Sequence, residues 1–141
     1  MCGRFVLTAN PEAIQQHFDL ISVPDLPPRY NIAPTQPVAV ISNDSPRELS
    51  FYKWGLIPSW AKEASVGSRM INARADSVAD KPSFRSAFKR RRCILPSDGF
   101  YEWQERDGKK TPLFIHLEDQ AVFGLAGLWE IWRSPEGEMV R

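Results

Sequence analysis

The sequence predicts one α+β domain over residues 1–141, β-dominated, with strands curling into a barrel-like mixed sheet and a few short helices. Three observations carry this. Helical character is confined to short stretches, chiefly NPEAIQQHFDLI (10–21) and KPSFRSAFKRRR (81–92). The second half is a series of strand-like runs broken by turn residues, among them the hairpin signal Asp107-Gly108. A length of 141 residues buries one core but is short for two.

Taken in order, GRFVL (3–7) reads as an opening strand. Asn10 can cap the first helix, Pro11 suits its first turn and Glu12 complements its dipole. Ile14, Phe18 and Ile21 are spaced as one apolar stripe, with His17 beside it. The segment VPDLPPRYNIAPTQP (23–37) holds five prolines and is neither helix nor central strand, yet is too apolar for a solvated linker. VAVI (38–41) is a buried strand, NDSP (43–46) a turn and ELSFYKWG (48–55) a second strand. Mostly irregular chain follows, with a short helix near Trp60; then Pro82 starts a helix with Phe84 and Phe88 four apart. CIL (93–95) is a buried strand, FYEWQER and KKTPLFIHL flank the hairpin, and a strand from Ala121 to Trp132 completes a meander. A chain ending on SPEGEMVR leaves that meander with an open edge, so the domain is expected to be truncated at its C-terminus.

Composition excludes several classes. The longest apolar run, AVFGLAGLW (121–129), is about half a membrane span, and the N-terminus lacks the layout of a secretory signal. The expected location is cytoplasmic, with no membrane partner. A net charge of +1 means that any anion-binding surface is local. Cys2 and Cys93 make no disulfide framework, and His17 and His116 belong to no metal-ligand pattern. With no glycine-rich phosphate loop either, no metal and no cofactor is expected.

Cys2 raises the first chemical question. If Met1 is removed, the chain begins with a cysteine, which offers an α-amine and a thiol on adjacent carbons. In GFYEWQE (99–105), alternation puts Phe100, Glu102 and Gln104 on one face. Glu102 drawn inward among aromatics is a candidate general acid or base; the alternative is a boundary glutamate paired with an arginine. Asn72 can donate to a developing oxyanion or hold an amine, or simply stabilise a turn. Arg4, Arg29, Arg69 and Arg74 adjoin apolar or glycine-containing segments, which fits planar anion contacts as well as plain surface positions. The run KRRR (89–92) reads as a solvated helix end.

Five blocks occur in order: MCGR (1–4), RYNIAP (29–34), WGLIPSW (54–60), INAR (71–74) and RRCILPSDGFYEW (91–103). Together they resemble the SRAP family, the SOS-response-associated peptidases understood as abasic-site-crosslinking proteins. The resemblance implies that Met1 is removed and that Cys2 then reacts with the ring-opened aldehyde of an abasic site in single-stranded DNA. It implies that Asn72 lies beside that aldehyde, that Glu102 assists proton transfers and that Arg4 and Arg74 grip flanking phosphates. It also places an aromatic wedge at Trp60 and Pro58. The family's further histidine, in a block H-x-R-M-P, lies downstream of residue 141, and neither His17 nor His116 inherits it.

The chemistry suits these groups. An N-terminal amine has a pKa of about 7.7–8.0, so part of it is neutral at pH 7 and can form a Schiff base with an aldehyde. The thiol, expected to be lowered by nearby arginines, can add to the imine and close a thiazolidine. Three other outcomes stay open: a thiol-dependent autopeptidase with Cys2 as nucleophile and Glu102 as base, a non-covalent single-stranded DNA binder in which the arginines and tryptophans matter and Cys2 does not, and a lyase that uses the same residues but eliminates before the ring closes.

Overall fold

The computed structural model describes residues 2–119 and 121–141; Met1, and with it the expected removal of that residue, lies outside them. The first strand, β1 (Phe5–Leu7), is buried along its length. The helix α1 (Pro11–Phe18) follows, with the Asn10 side chain accepting from the Ala13 amide at 2.8 Å. It stops at Asp19, which adopts φ 52. Ile21 therefore falls outside the helix and is 63% exposed, and Leu20 takes the buried place expected of it.

The proline-rich segment packs Val23 and Leu26 against the core and contributes an edge strand, β2 (Arg29–Ile32). Next come β3 (Pro37–Ser42), β4 (Ser50–Lys53), a 3₁₀ helix (Ala64–Arg69), α2 (Arg85–Arg90), β5 (Arg92–Ser97) and β6 (Gly99–Arg106). The chain ends with β7 (Lys109–Ile115), β8 (Phe123–Leu128), β9 (Trp132–Arg133) and β10 (Met139–Val140). The short helix expected near Trp60 lies instead at Ala64–Arg69; around Trp60 the chain makes a turn closed by the Ala61 amide and the Pro58 carbonyl. Arg91 leaves the basic run and pairs with buried Glu130 at 2.7 Å, so that run is not wholly a solvated helix end.

The β-dominated class holds, with eight strands divided between two four-stranded sheets, β2-β1-β6-β7 and β4-β3-β5-β8, and with β9 and β10 paired as a separate antiparallel ribbon. Their ladders are antiparallel. Asp107 (φ 49) and Gly108 (φ 71) form the expected two-residue turn between β6 and β7. The expected meander does not continue into β8, which joins the second sheet beside β5. Glycine explains the fit. A Cβ at Gly127 would meet the Cys93 sulfur at 2.8 Å, and one at Gly124 would meet Ile94 at 2.6 Å.

The chain passes from the second sheet to the first at Asp98, between β5 and β6. Its carboxylate accepts from the Thr8 amide, the Thr8 hydroxyl at 2.7 Å and the Ala9 amide at 3.1 Å. The corner is thereby tied to the end of β1. Phe5, Ile14, Ile32, Val38, Val40 and Trp129 belong to the shared core. Among the described residues no helix is long and apolar enough to cross a membrane.

Candidate active site

Cys2 stands just ahead of β1. That strand lies between β2 and β6, with Phe5 opposite Ile32 on one side and Phe100 on the other. The Tyr101 amide donates to the Arg4 carbonyl at 2.9 Å, so the β1–β6 pairing runs on towards the N-terminus. Glu102, half-buried on β6, is thereby carried to the region of Cys2. Its charge acts on the Cys2 thiol.

Cys2 is half-buried, and its thiol donates to the Arg4 carbonyl at 3.6 Å. Burial pushes the thiol above its ordinary value; backbone hydrogen bonding with Arg4 opposes this, and the Glu102 charge adds to it. The expectation that arginines lower the thiol is thus not met. The guanidiniums are engaged elsewhere: Arg4 donates to Asn31 Oδ1 at 3.0 Å, and Arg74 is ion-paired with Asp76 at 2.8 Å.

Asn72 reaches Cys2 from a different part of the chain. It follows the 3₁₀ helix, and its Nδ2 donates to the Cys2 carbonyl at 2.7 Å. The two residues share the wall of a shallow cleft with Ala73, Arg74, Ala75 and Asp76. Cys2 and Asn72 also border a deeper, mainly apolar cavity of about 400 Å³, whose walls include Phe5, Tyr52, Trp54 and Leu125.

Cys2, Asn72 and Arg74 therefore come together, with Glu102 acting on Cys2 by its charge and Arg4 beside it in sequence. The remaining predicted residues do not line either cavity. Trp60 is 62% exposed, whereas Pro58 is less than 2% exposed. Arg29 braces the loop after β2, donating to the Pro37 carbonyl at 2.6 Å and to Gln36 Oε1 at 2.7 Å. His17 packs edge-on against Phe18, and His116 stacks on Phe114. Among the described residues no three His, Cys, Asp or Glu side chains gather as a metal set.

Two acidic residues escaped the sequence reasoning. Asp76 stands two positions after Arg74, a visible signal once that arginine matters. Asp98 sits in the turn-like SDG, which gives no hint that its partners lie 90 and 89 positions away.

Residues 1–141 match the model of the family described as SOS response associated peptidase (SRAP). The chain is 44% identical to the abasic site processing protein YoqW of Bacillus subtilis over 142 residues, covering 97% of this chain and 63% of that protein. It is 30% identical to the abasic site processing protein HMCES of Xenopus tropicalis over 78% of this chain and 42% of the relative. A crystal structure of a protein from Bacteroides thetaiotaomicron superposes with a TM-score of 0.86 at 27% identity, covering 99% of this chain and 65% of that one. The chain thus spans less than two thirds of the length of these relatives. With the ordered blocks and Cys2 beside Asn72, these matches place the chain in the SOS response associated peptidase (SRAP) family.

Proposed function

We propose that this protein processes abasic sites in single-stranded DNA by forming a covalent thiazolidine through Cys2. The observation that carries the proposal is the hydrogen bond from Asn72 to the Cys2 carbonyl, with the charge of Glu102 acting on the same residue. The abasic-site names of the relatives agree with it.

Hydrolysis of the Met1–Cys2 peptide bond frees the Cys2 α-amine. The neutral amine attacks the aldehyde carbon of the ring-opened abasic sugar, giving a carbinolamine. Glu102, as a carboxylate, takes the amine's two protons in turn and passes each to the former aldehyde oxygen, which leaves as water to form the imine. The thiol then adds to the imine carbon while its proton passes to nitrogen. A five-membered ring closes through N, Cα, Cβ, Sγ and the former aldehyde carbon. From the free amine to the ring one water is released, which offsets the one consumed in hydrolysis of the Met1–Cys2 bond, and the balance needs no oxidant. Asn72 holds the Cys2 backbone so that amine and thiol address one carbon. Arg4 and Arg74 contact the flanking phosphates, and exposed Trp60 stacks against a neighbouring base. Arg29 acts from behind, by shaping the loop after β2.

The test is a denaturing gel of the protein with single-stranded DNA carrying one abasic site, alongside the intact protein mass. The expected result is a heat-stable shifted band from protein lacking Met1, absent for Cys2→Ala and absent when Met1 is retained. A band of equal yield from Cys2→Ala, or none from protein shown to lack Met1, overturns the proposal.

A further inference from the structure

We propose that Trp54 is the positioning residue that sets Asn72 against Cys2. This rests on the functional reading of Cys2 and Asn72 above and extends it to a side chain with no assigned role.

Trp54 touches both halves of the site. Its ring meets Phe5 edge-on, with centroids 5.3 Å apart and planes at 60°. Phe5 is a core residue of β1, three positions after Cys2, and lies opposite Phe100 of the strand that carries Glu102. On its other side, the indole N–H donates to the Ile71 carbonyl at 2.8 Å. Ile71 immediately precedes Asn72, so the chain is fixed one residue before the Asn72 amide reaches Cys2.

The backbone around Trp54 is held just as firmly. Its amide donates to the Gln36 carbonyl and its carbonyl accepts from the Thr35 amide, both at 2.9 Å. Thr35 adopts φ 71, an uncommon conformation for a β-branched residue, and these two bonds hold the loop that contains it. Gly55 then adopts φ 126 and packs so closely on Gly67 that a Cβ there would stand 2.5 Å from the Gly67 carbonyl oxygen. The Leu56 amide donates to the Met70 carbonyl at 3.1 Å. Residues 54–56 thus form a rail for residues 67–71, and the indole N–H is its last point of attachment before Asn72. A phenylalanine would keep the contact with Phe5 but supply no donor to Ile71.

The experiment uses Trp54→Phe and, as a same-shape control, Trp54 replaced by benzothienylalanine, in which sulfur stands for the indole N–H. Thermal unfolding reports folding. Affinity for single-stranded DNA carrying a tetrahydrofuran abasic analogue, which has no aldehyde, reports binding. The saturating rate of adduct formation with a true abasic site reports the chemistry. Both variants are expected to bind the analogue within about twofold of wild type and to form the adduct about tenfold more slowly, the scale of one lost hydrogen bond and a small misplacement. Trp54→Phe combined with Asn72→Ala is expected to be no slower than Asn72→Ala alone, because Trp54 acts through Asn72. If Trp54→Phe fails to fold, the benzothienylalanine protein carries the same comparison. A wild-type rate in the folded variant, or a double variant slower by the product of the two single losses, overturns the assignment. A wild-type protein that forms no adduct overturns the functional proposal itself, and this inference falls with it.

Discussion

The side-chain amide of Asn72 donates to the main-chain carbonyl of Cys2 at 2.7 Å, joining residues 70 positions apart in sequence. One partner belongs to an irregular segment and the other to the extreme N-terminus, where chains are ordinarily loose unless tied down. Asn72→Ala removes the tie, and the expected result is adduct formation slower by about tenfold or more at saturating DNA. Asn72→Asp is the sharper variant, because an ionised carboxylate cannot donate and is repelled by the carbonyl. It is expected to do no better than alanine in single-turnover kinetics. A wild-type rate for Asn72→Asp would show that the donor is dispensable.

Asp76 is the ion-pair partner of Arg74, the arginine proposed to contact a DNA phosphate. The Arg74 guanidinium donates to both Asp76 carboxylate oxygens and holds that carboxyl below the usual range, and both side chains are exposed. A phosphate approaching Arg74 must displace this partner. Asp76→Asn is therefore expected to tighten binding of the tetrahydrofuran analogue by about two- to fivefold at low salt, with the gain fading as salt rises. Thermal stability should hardly change, since exposed ion pairs contribute little. Weaker binding in fluorescence anisotropy would mean that Asp76 orients Arg74 instead of competing for it.

Much of the fold was legible because it is locally encoded. Asn10 and Pro11 announce α1, and Asp107-Gly108 announces the β6–β7 turn, each through chemistry that needs only its sequence neighbours. The division into two sheets was not legible, because it depends on glycines at 124 and 127 meeting side chains of β5 some 30 positions earlier. The site divides in the same way. Alternation placed Glu102 on the face of Phe100, but nothing local ties Asn72 to Cys2, and only the resemblance to a family brought them together. The same resemblance put Pro58 on the DNA surface, where burial forbids contact. Arg29 looked like an anion ligand because its bracing partners, Gln36 and the Pro37 carbonyl, are ordinary loop groups without a recognisable signature.

Asp98 carries the corner between the sheets. Its carboxylate takes hydrogen bonds from two backbone amides and a hydroxyl at residues 8 and 9. Asp98→Ala leaves those amides without their partner and is expected to cost about 2–4 kcal/mol in denaturant unfolding. Asp98→Asn keeps an acceptor oxygen and should recover about half of the loss. Equal losses for the two variants would show that the negative charge, and not the acceptor geometry, holds the corner.

Cys93 makes stability depend on alkaline pH. Burial pushes its thiol from an ordinary 9.0 up to about 12, so the folded state keeps a proton that the unfolded chain releases. The stabilisation is complete below pH 9 and is lost as pH rises towards 12, on the order of 4 kcal/mol across the window. Cys93→Ala removes the titrating group. It is expected to be less stable at pH 8, because it opens space beside Gly127, but to lose about 2 kcal/mol less than wild type between pH 8 and 10.5. Parallel pH slopes in urea unfolding would contradict the assignment.

Glu102 and Cys2 provide a test in which two rates move in opposite directions. The negative charge of Glu102 helps burial to hold the Cys2 thiol above its ordinary value. Glu102→Gln removes that charge, so the thiolate fraction at pH 8 rises, and alkylation of Cys2 by iodoacetamide should quicken by about twofold. Peptide mass locates the modification, because buried Cys93 stays protonated at that pH. On the proposed mechanism the same substitution removes the group that carries protons from the amine to the departing oxygen, so adduct formation should slow by about a hundredfold. Faster alkylation with slower crosslinking is the signature of a proton carrier that also raises its neighbour. Both rates falling would make Glu102 a support of local structure, and both rising would make it only a repelling charge.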